Sequence, residues 1–402
     1  MAGSPFLFKC YDLRTLTHLA DIPAVGASFG TQLNAPGTFG LSLPIDDPRM
    51  EVLNWNEATS PGRTAICVDY NGALIAGFET LTRTYQRSQH KVTLGGAEFF
   101  AYFKQRIQAY DYAPGSTDPG SEAYWSSFLT EPDPGANPLL IAKQVITDTL
   151  ALGTIANGMG VAIQQTGTPS SVAVQFPINQ WQSLDSIVTT LSQMGYGTGF
   201  DFGTDVHYSA GVPVVTLTLS FPRRGLIGSG SGLVADVTRA ADYEYNEDAQ
   251  AAANLITETA SGSGGYISQG INSTPITLGG YPLMEAVISR SNVSSQDVLD
   301  ACAAGDIALY AYPVVTGSVT LYADDPGMPL GHFVAGDDFR LVVPAVAGDG
   351  SIYDRRFPRG LDYVFRVRQW SCTVPTSGRP TVKVDFVMPP PSSGVAVTPP
   401  IA

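Results

Sequence analysis

Residues 26 to 30, Gly-Ala-Ser-Phe-Gly, give Ser28 the Gly-x-Ser-x-Gly spacing of a serine-hydrolase elbow. In that motif a strained strand-to-helix turn lifts the serine hydroxyl toward a histidine, which activates it as a nucleophile. The chemistry therefore requires a helix after the serine. Beyond Phe29 the chain instead runs "GTQLNAPGTFGLSLPIDDP". Pro36-Gly37 suits a tight turn. Phe39, Leu41 and Leu43 then alternate with Gly40 and Ser42, the period of a half-buried strand. The stretch reads as strand, turn, strand, and Ser28 as a structural residue.

Other chemical signals weaken in the same way. The acid doublets Asp46-Asp47, Asp324-Asp325 and Asp337-Asp338 have the residue types of metal or glycosidase sites. Adjacent strand residues point to opposite faces, so they read as solvated turn aspartates. "FDFGTD" contains the Asp-Phe-Gly of protein kinases without the accompanying His-Arg-Asp loop or Val-Ala-Ile-Lys strand. The glycines of "ETASGSGGY" imitate a phosphate cradle, but they are expected to follow a helix, at its negative end. His18, His90, His207 and His332 lack metal-ligand spacing. Cys10, Cys67, Cys302 and Cys372 are isolated, which reads as buried free thiols from a reducing compartment. Arg366 and Arg368, within "RRFPRGLDYVFRVR", are expected on a solvated or subunit-contacting strand face. No catalytic, cofactor-binding or metal-binding residue is assigned.

The elements that would position these residues are mainly strands. In "TAICVDYNGALIAGF", Ile66, Val68 and Tyr70 alternate up to Asn71-Gly72, which favours a type I′ hairpin. "AEFFAYFKQRIQAY" switches to helical spacing, with Phe99, Phe100, Phe103 and Ile107 on one face. Asn137 caps a helix that starts at Pro138 and stops at Gly153. A second helix presents Trp181, Leu184, Val188 and Leu191 and ends at Gly195. "VVTLTLSF" is a strand; "ADYEYNEDAQAAANLITETASGSGG" is expected to be a short helix ending in a flexible glycine run. Another helix starts at Ser294, paired with Asp297 as in a capping box, and ends at Gly305. "LDYVFRVRQW" and "PTVKVDFVM" close the sequence as strands.

The fold class expected is mainly β with an α+β insertion. The divisions are a β module over 1–110, a mixed α/β module over 111–235 after a Pro/Gly-rich junction, a second β-rich module over 236–388 and a Pro-rich tail over 389–402. "NGALIAGFETLTRTYQRSQHKVTL" and "RGLDYVFRVRQWSCTVPTSGRPTVKVDF" share a scheme of glycine turn, strand, Arg-aromatic stretch and alternating strand. That scheme is compatible with one β module used twice.

Composition limits the function classes. Charged residues make up 14% of the 402 residues, against roughly 25% in an ordinary soluble domain. The surface is therefore Ser, Thr, Gly, Asn and Gln, or is covered by other subunits. A net charge of −14, with five lysines beside seventeen arginines, disfavours binding to phosphate backbones. The first residues lack a basic start and apolar run, so no secretory signal is expected. No apolar run reaches the roughly 18 residues of a bilayer span.

The order of "KCYDLRT", "VGASFGTQLNAPGTFGLSLPIDDP", "ATSPGRTAICVDYNGALIAGFETLTRTY" and "VTLGGAEFFAYFKQR" resembles the start of siphophage tail hub proteins. These are the minor tail proteins of phages of actinobacteria. "ADYEYNEDAQAAANLI", "YPLMEAVISRSNVSSQDVLDACAAG" and "FPRGLDYVFRVRQW" extend the resemblance over nearly the whole chain; residues 111–235 match least. The resemblance implies two tail-tube-like β-barrel modules per subunit and a ring, expected as a trimer, at the distal tip of a non-contractile tail. It implies a virion protein assembled in the host cytoplasm, without cofactors or catalysis. Its partners would be further copies of itself, the distal tail protein, the tape measure protein and central tip or fibre proteins. Genomic DNA would pass without specific binding, and few cations on the wall would let it slide. A host-receptor or carbohydrate-binding tail protein is the alternative, favoured by four Trp and eighteen Tyr. A tail-associated hydrolase using Ser28 or a carboxylate pair is the third reading.

Overall fold

The computed structural model describes residues 5–52, 54–108, 137–151, 159–169, 181–194, 199–260, 267–277, 279–290 and 296–389. Seven strands come first: β1 (Phe6–Asp12), β2 (His18–Ile22), β3 (Gly26–Gln32), β4 (Thr38–Pro44), β5 (Thr64–Tyr70), β6 (Ala73–Gln86) and β7 (Lys91–Glu98). Next are β8 (Val161–Thr166), β9 (Asp201–Ser209) and β10 (Val212–Ser220), then β11 (Val234–Asp236) and β12 (Asp242–Asp248). The last are β13 (Leu255–Ala260), β14 (Ile267–Ile271), β15 (Glu285–Arg290), β16 (Val314–Tyr322), β17 (Asp338–Val343), β18 (Leu361–Val374) and β19 (Thr381–Val387).

Thirteen strands form one sheet, in the order β12-β16-β19-β18-β3-β4-β7-β6-β5-β1-β2, with β17 and β11 branching from β18. Its pairings are antiparallel except for β11 with β17. The chain is thus mainly β. Among the described residues the sheet is open and does not close into a barrel. None of their helices is long and apolar enough to cross a membrane.

Two parts of this sheet repeat one plan. β3-β4-β7-β6-β5 and β12-β16-β19-β18-β17 have the same spatial order and the same order along the chain. In each, a 14-residue strand follows a glycine of positive φ, Gly72 (89°) or Gly360 (79°). Each long strand also carries a bulge against its return strand, between Thr80 and Thr82 or between Val367 and Gln369. These are the two segments whose sequence schemes echo each other. The arrays join where β3 pairs with the second half of β18. Phe29 on β3 packs edge-on against Trp370 at 6.1 Å and against Phe6 at 6.1 Å, so a single core spans the joint.

Local signals explain several elements. Asn71 (φ 53°) and Gly72 both take positive φ, as a type I′ turn requires. Asn137 Oδ1 accepts the Leu139 amide at 2.9 Å, capping the helix Pro138–Ala151. Leu184, Ile187, Val188 and Leu191 form the buried face of the helix Leu184–Ser192. Together with Phe100, Phe103 and the helix Pro138–Ala151, that face covers the three-stranded sheet β8-β10-β9.

Other expectations are corrected. The aromatic run folds as a 3-10 helix, Phe99–Gln105, because Ala97 and Glu98 still belong to β7. Ile107 lies outside that helix and is exposed. Trp181, with φ 49°, is 65% exposed and precedes its helix rather than joining its face. The helix expected after Ala241 is absent: β12 pairs there with β16, and its Tyr243 and Tyr245 turn toward the core. The later helix, Gln296–Tyr310, continues through Gly305, which is buried within it, and packs on β13 and β14 in a sheet ordered β14-β13-β15. The stops at Gly153 and Gly195, the Ser294 cap and the tail beyond Pro389 lie outside the described residues.

The joint depends on one glycine. A Cβ on Gly30 would lie 2.1 Å from the Trp370 carbonyl oxygen, whereas one on Gly40, in the adjacent strand, would meet nothing within 4 Å. Gly30→Ala is expected to destabilise the chain by more than about 2 kcal/mol and Gly40→Ala to stay within about 0.5 kcal/mol of the parent, measured by denaturant unfolding.

Candidate functional site: a buried ionic junction

Where β9 and β10 meet the large sheet, charged side chains are collected, all buried except the half-exposed Asp205. Asp201 opens β9 and binds Arg366 of β18 through one carboxylate oxygen, which also accepts the Arg224 amide at 2.9 Å. Its other oxygen accepts Asn34 Nδ2 at 2.9 Å, and Asn34 Oδ1 accepts the Phe202 amide at 2.7 Å. Arg366 Nε also reaches the Gly336 carbonyl at 3.1 Å. Arg224 binds Asp205 and donates to the Ala335 carbonyl at 2.6 Å. Arg223 forms a fork with Asp338, at 2.9 and 2.6 Å. Asp337 accepts the Leu226 and Val334 amides at 2.6 and 2.8 Å.

Pairing is what makes this burial tolerable. An unpaired ion in a low-dielectric interior costs several kcal/mol, but each cation here faces a carboxylate, and Arg224 and Arg366 also reach backbone carbonyls. The result is a fastener, since every group that could do acid–base work is already engaged.

A second junction ties the layer of β13–β15 to the helix Leu184–Ser192. Arg290 Nε donates to Glu258 at 3.2 Å and Nη2 to Asp306 at 2.5 Å. Its Nη1 donates to the Gln193 carbonyl at 2.7 Å, where a cation complements the helix C-terminus. Burial and the neighbouring Asp306 push the Glu258 carboxyl up, against the pull of Arg290.

Glu98 and Glu79 are the other buried acids. Burial raises Glu98 to about 7, although the Gly37 amide, 2.5 Å away, and Arg224 favour its charged form. Burial alone raises Glu79 to about 7, and its Oε1 has no hydrogen-bond partner among the described residues.

The sequence candidates fall elsewhere. Ser28 is exposed in the middle of β3, opposite Gly40 and Thr373. Among the described residues no histidine bonds to it: His18 pairs with Asp21 at 2.9 Å and His90 with Asp46 at 3.1 Å. Asp46, Asp47 and Asp324 are surface residues as expected, but Asp325, Asp337 and Asp338 are buried, contrary to the solvated reading. Asp325 holds Arg239 Nε at 3.1 Å and the Gly327 amide at 2.8 Å. Arg366 and Arg368 do not share a face. The bulge at Arg368 breaks the alternation, so Arg366 is buried while Arg368 is exposed. The glycine run 261–266 lies outside the described residues; the element before it is strand β13, not a helix.

The four cysteines are buried free thiols, with burial pushing Cys67 and Cys372 up to about 12. Among the described residues no group of three His, Cys, Asp or Glu side chains could hold a metal ion. A cleft of about 690 Å³ opens between β1–β2 and the β9–β10 hairpin. Burial there disfavours charge on Lys9, yet the Asp69 carboxylate, 2.9 Å away, outweighs it and raises its pKa, so the amine stays protonated rather than nucleophilic. Asp201, Asp205, Arg223, Arg224, Glu258, Arg290 and Asp306 were not identifiable from sequence as site residues. The only trace was the Asp-Phe-Gly match, which marks the aspartate anchoring β9 to β18.

No family model matches the chain, and no curated protein matches it in sequence. Its fold, however, is that of solved phage tail proteins. A tail protein from Neisseria meningitidis MC58 superposes with a TM-score of 0.57 at 11% identity, over 97% of this chain and 98% of that one. The 43 kDa tail protein of prophage MuSo2 from Shewanella oneidensis gives 0.57 at 10% identity, over 95% and 98%. Prophage tail protein gp18 from Listeria monocytogenes EGD-e gives 0.51 at 10%, over 96% and 95%.

The buried charges generate two expected outcomes. Arg366→Ala strands the Asp201 carboxylate and is expected to cost about 3–5 kcal/mol in unfolding free energy. A raised carboxyl favours the fold fully below its ordinary value of 4.5, and that contribution disappears as pH rises through about 7. Glu79→Gln keeps the neutral shape, so it should match the parent in melting temperature near pH 4 and exceed its stability near pH 8 by about 2 kcal/mol.

Proposed function

We propose that this chain, sharing its fold with phage tail proteins, is a structural ring subunit: the hub at the distal tip of a non-contractile tail. One observation carries the reading. The same five-strand plan occurs twice and is joined edge to edge by β3 on β18, while among the described residues β12 and part of β6 keep open edges. A sheet edge with unpaired amides and carbonyls is a template for further strands, and closing a ring abolishes it.

Three copies, each supplying two arrays, would give a ring of six similar units around a passage. Each array then acts as one wall segment of a shared tube, which replaces the closed barrel expected within each module. Barrels of roughly 16 to 18 strands already hold aqueous pores, so several chains sharing a wall provide the wider bore that duplex DNA needs. In this reading residues 1–110 and 236–388 contribute the wall, 111–235 sits beside it and 389–402 is a tail. Neighbours would be the distal tail protein, the tape measure protein and tip or fibre proteins, all within the virion. A chain whose net charge is −14 offers phosphate few cations to hold.

The role is one of assembly, without catalysis. Its support is that in the cluster around Asp201, Arg224 and Arg366 each charge is paired within the fold. Mass measurement of the purified assembly is expected to give three copies, and an axial image should place them around the tail axis. A chain that is solitary inside intact tails and off the axis would overturn the proposal.

A further inference from the structure

The repeated plan also indicates which edges meet, an inference that rests on the ring reading. β18 extends past β17: residues 361–366 pair with β17, and 369–374 beyond them receive β3. β6 extends past β5 in the same manner. Its first half pairs with β5 up to Glu79, whereas residues 82–86 pair only with β7 among the described residues. The counterpart of β3 in the second array is β12, which pairs with β16 on one edge and with no described strand on the other.

We propose that β12 of one copy adds, antiparallel, to the overhang of β6 in a second copy of this chain, keeping the register of the joint that β3 and β18 make within one but at ordinary strand spacing, since Asn246 stands where β3 has Gly30. Matching the two bulges places Leu81 on Arg368, and therefore Tyr85 on Cys372. Following the pairings of β4 and β16 places Ser28 on Glu244. The inherited register then sets Arg83 opposite Glu247, Tyr85 opposite Tyr245 and Gln86 opposite Glu244.

Charge and exposure agree with that register. β12 carries Asp242, Glu244, Glu247 and Asp248, while residues 82–91 carry Arg83, Arg87 and Lys91 and no acid. Opposite charges directly across an antiparallel pair attract, and like charges repel. Tyr85 is 58% exposed in one copy. In the joint it meets Tyr245, whose ring packs against Phe357 at 5.1 Å. Within one copy Glu247 is held by the exposed Arg356, at 2.8 Å, and Arg83 donates to the Asn56 carbonyl at 2.6 Å, so both side chains exchange a present partner in the joint.

Cysteine trapping in the full-length chain tests the joint, because all four native cysteines are buried. Gln86→Cys and Glu244→Cys proteins, mixed and oxidised, are expected to give a disulfide-linked pair containing one of each. Gln86→Cys mixed with Asp248→Cys, four residues out of register, should give about tenfold less, since a disulfide needs Cα atoms within about 7 Å. Independently, Arg83→Glu should weaken self-association about tenfold, and Glu247→Arg in the same chain should restore it. An oligomer by mass that forms neither the in-register bond nor shows charge rescue overturns this joint and leaves the ring reading standing. A chain that stays single at every concentration and within intact tails overturns both.

Discussion

A β-strand presents two rows of hydrogen-bonding groups, and β18 must satisfy both over 14 residues. It does so with three neighbours. β19 takes one edge, while β17 and then β3 divide the other. The change of partner is possible because the bulge at Arg368 gives the strand an extra residue and added twist. Gly30 then lets β3 approach the Trp370 carbonyl more closely than any side chain would permit. From this seam follow the continuous core around Phe29, the joining of the two arrays and the position of Arg366.

The buried ions are a consequence of that geometry. Once the bulge turns Arg366 inward, its guanidinium needs a carboxylate, and Asp201 at the start of β9 supplies it. The same carboxylate receives the Arg224 amide, so the layer of β8–β10 is oriented by a few charge-assisted bonds as well as by apolar area. Such pairs contribute little net stability compared with apolar packing of the same volume. They do penalise every arrangement in which one partner is left alone. A chain with only 14% charged residues thus uses several of its arginines to fix how its layers meet.

Edges carry the same logic outward. Inside the chain an overhanging strand is covered by the first strand of the other array. At β6 and β12 no strand among the described residues covers the equivalent groups. A free edge flanked by Arg83 and Arg87 and another lined by acids are poor templates for binding themselves, which limits indiscriminate stacking. They are good templates for each other.

Much of the local structure was legible in the residues. Asn71-Gly72 fixed a hairpin through positive φ, the alternation in "VVTLTLSF" and "PTVKVDFV" fixed strands β10 and β19, and Asn137-Pro138 fixed a helix start. These depend on neighbours within a few positions, which is the range over which periodicity and turn chemistry act. Even the recurrence of one β plan was visible as two parallel schemes of glycine, long strand and alternating return. Other features were settled by contacts between distant residues. Asp242–Asp248 became a strand because β16 offered it an edge. Gly305 did not stop its helix, whose small buried side lies against β14 at Ala303 and Gly270. Asp337, Asp338 and Arg366 look like surface charges in the chain, but the segment after β10 engages the two aspartates and Asp201 of β9 engages Arg366 in the interior. A sequence specifies which conformations each segment prefers. Burial and pairing are properties of what the fold brings alongside it, and here that decided where the charges and the free edges would lie.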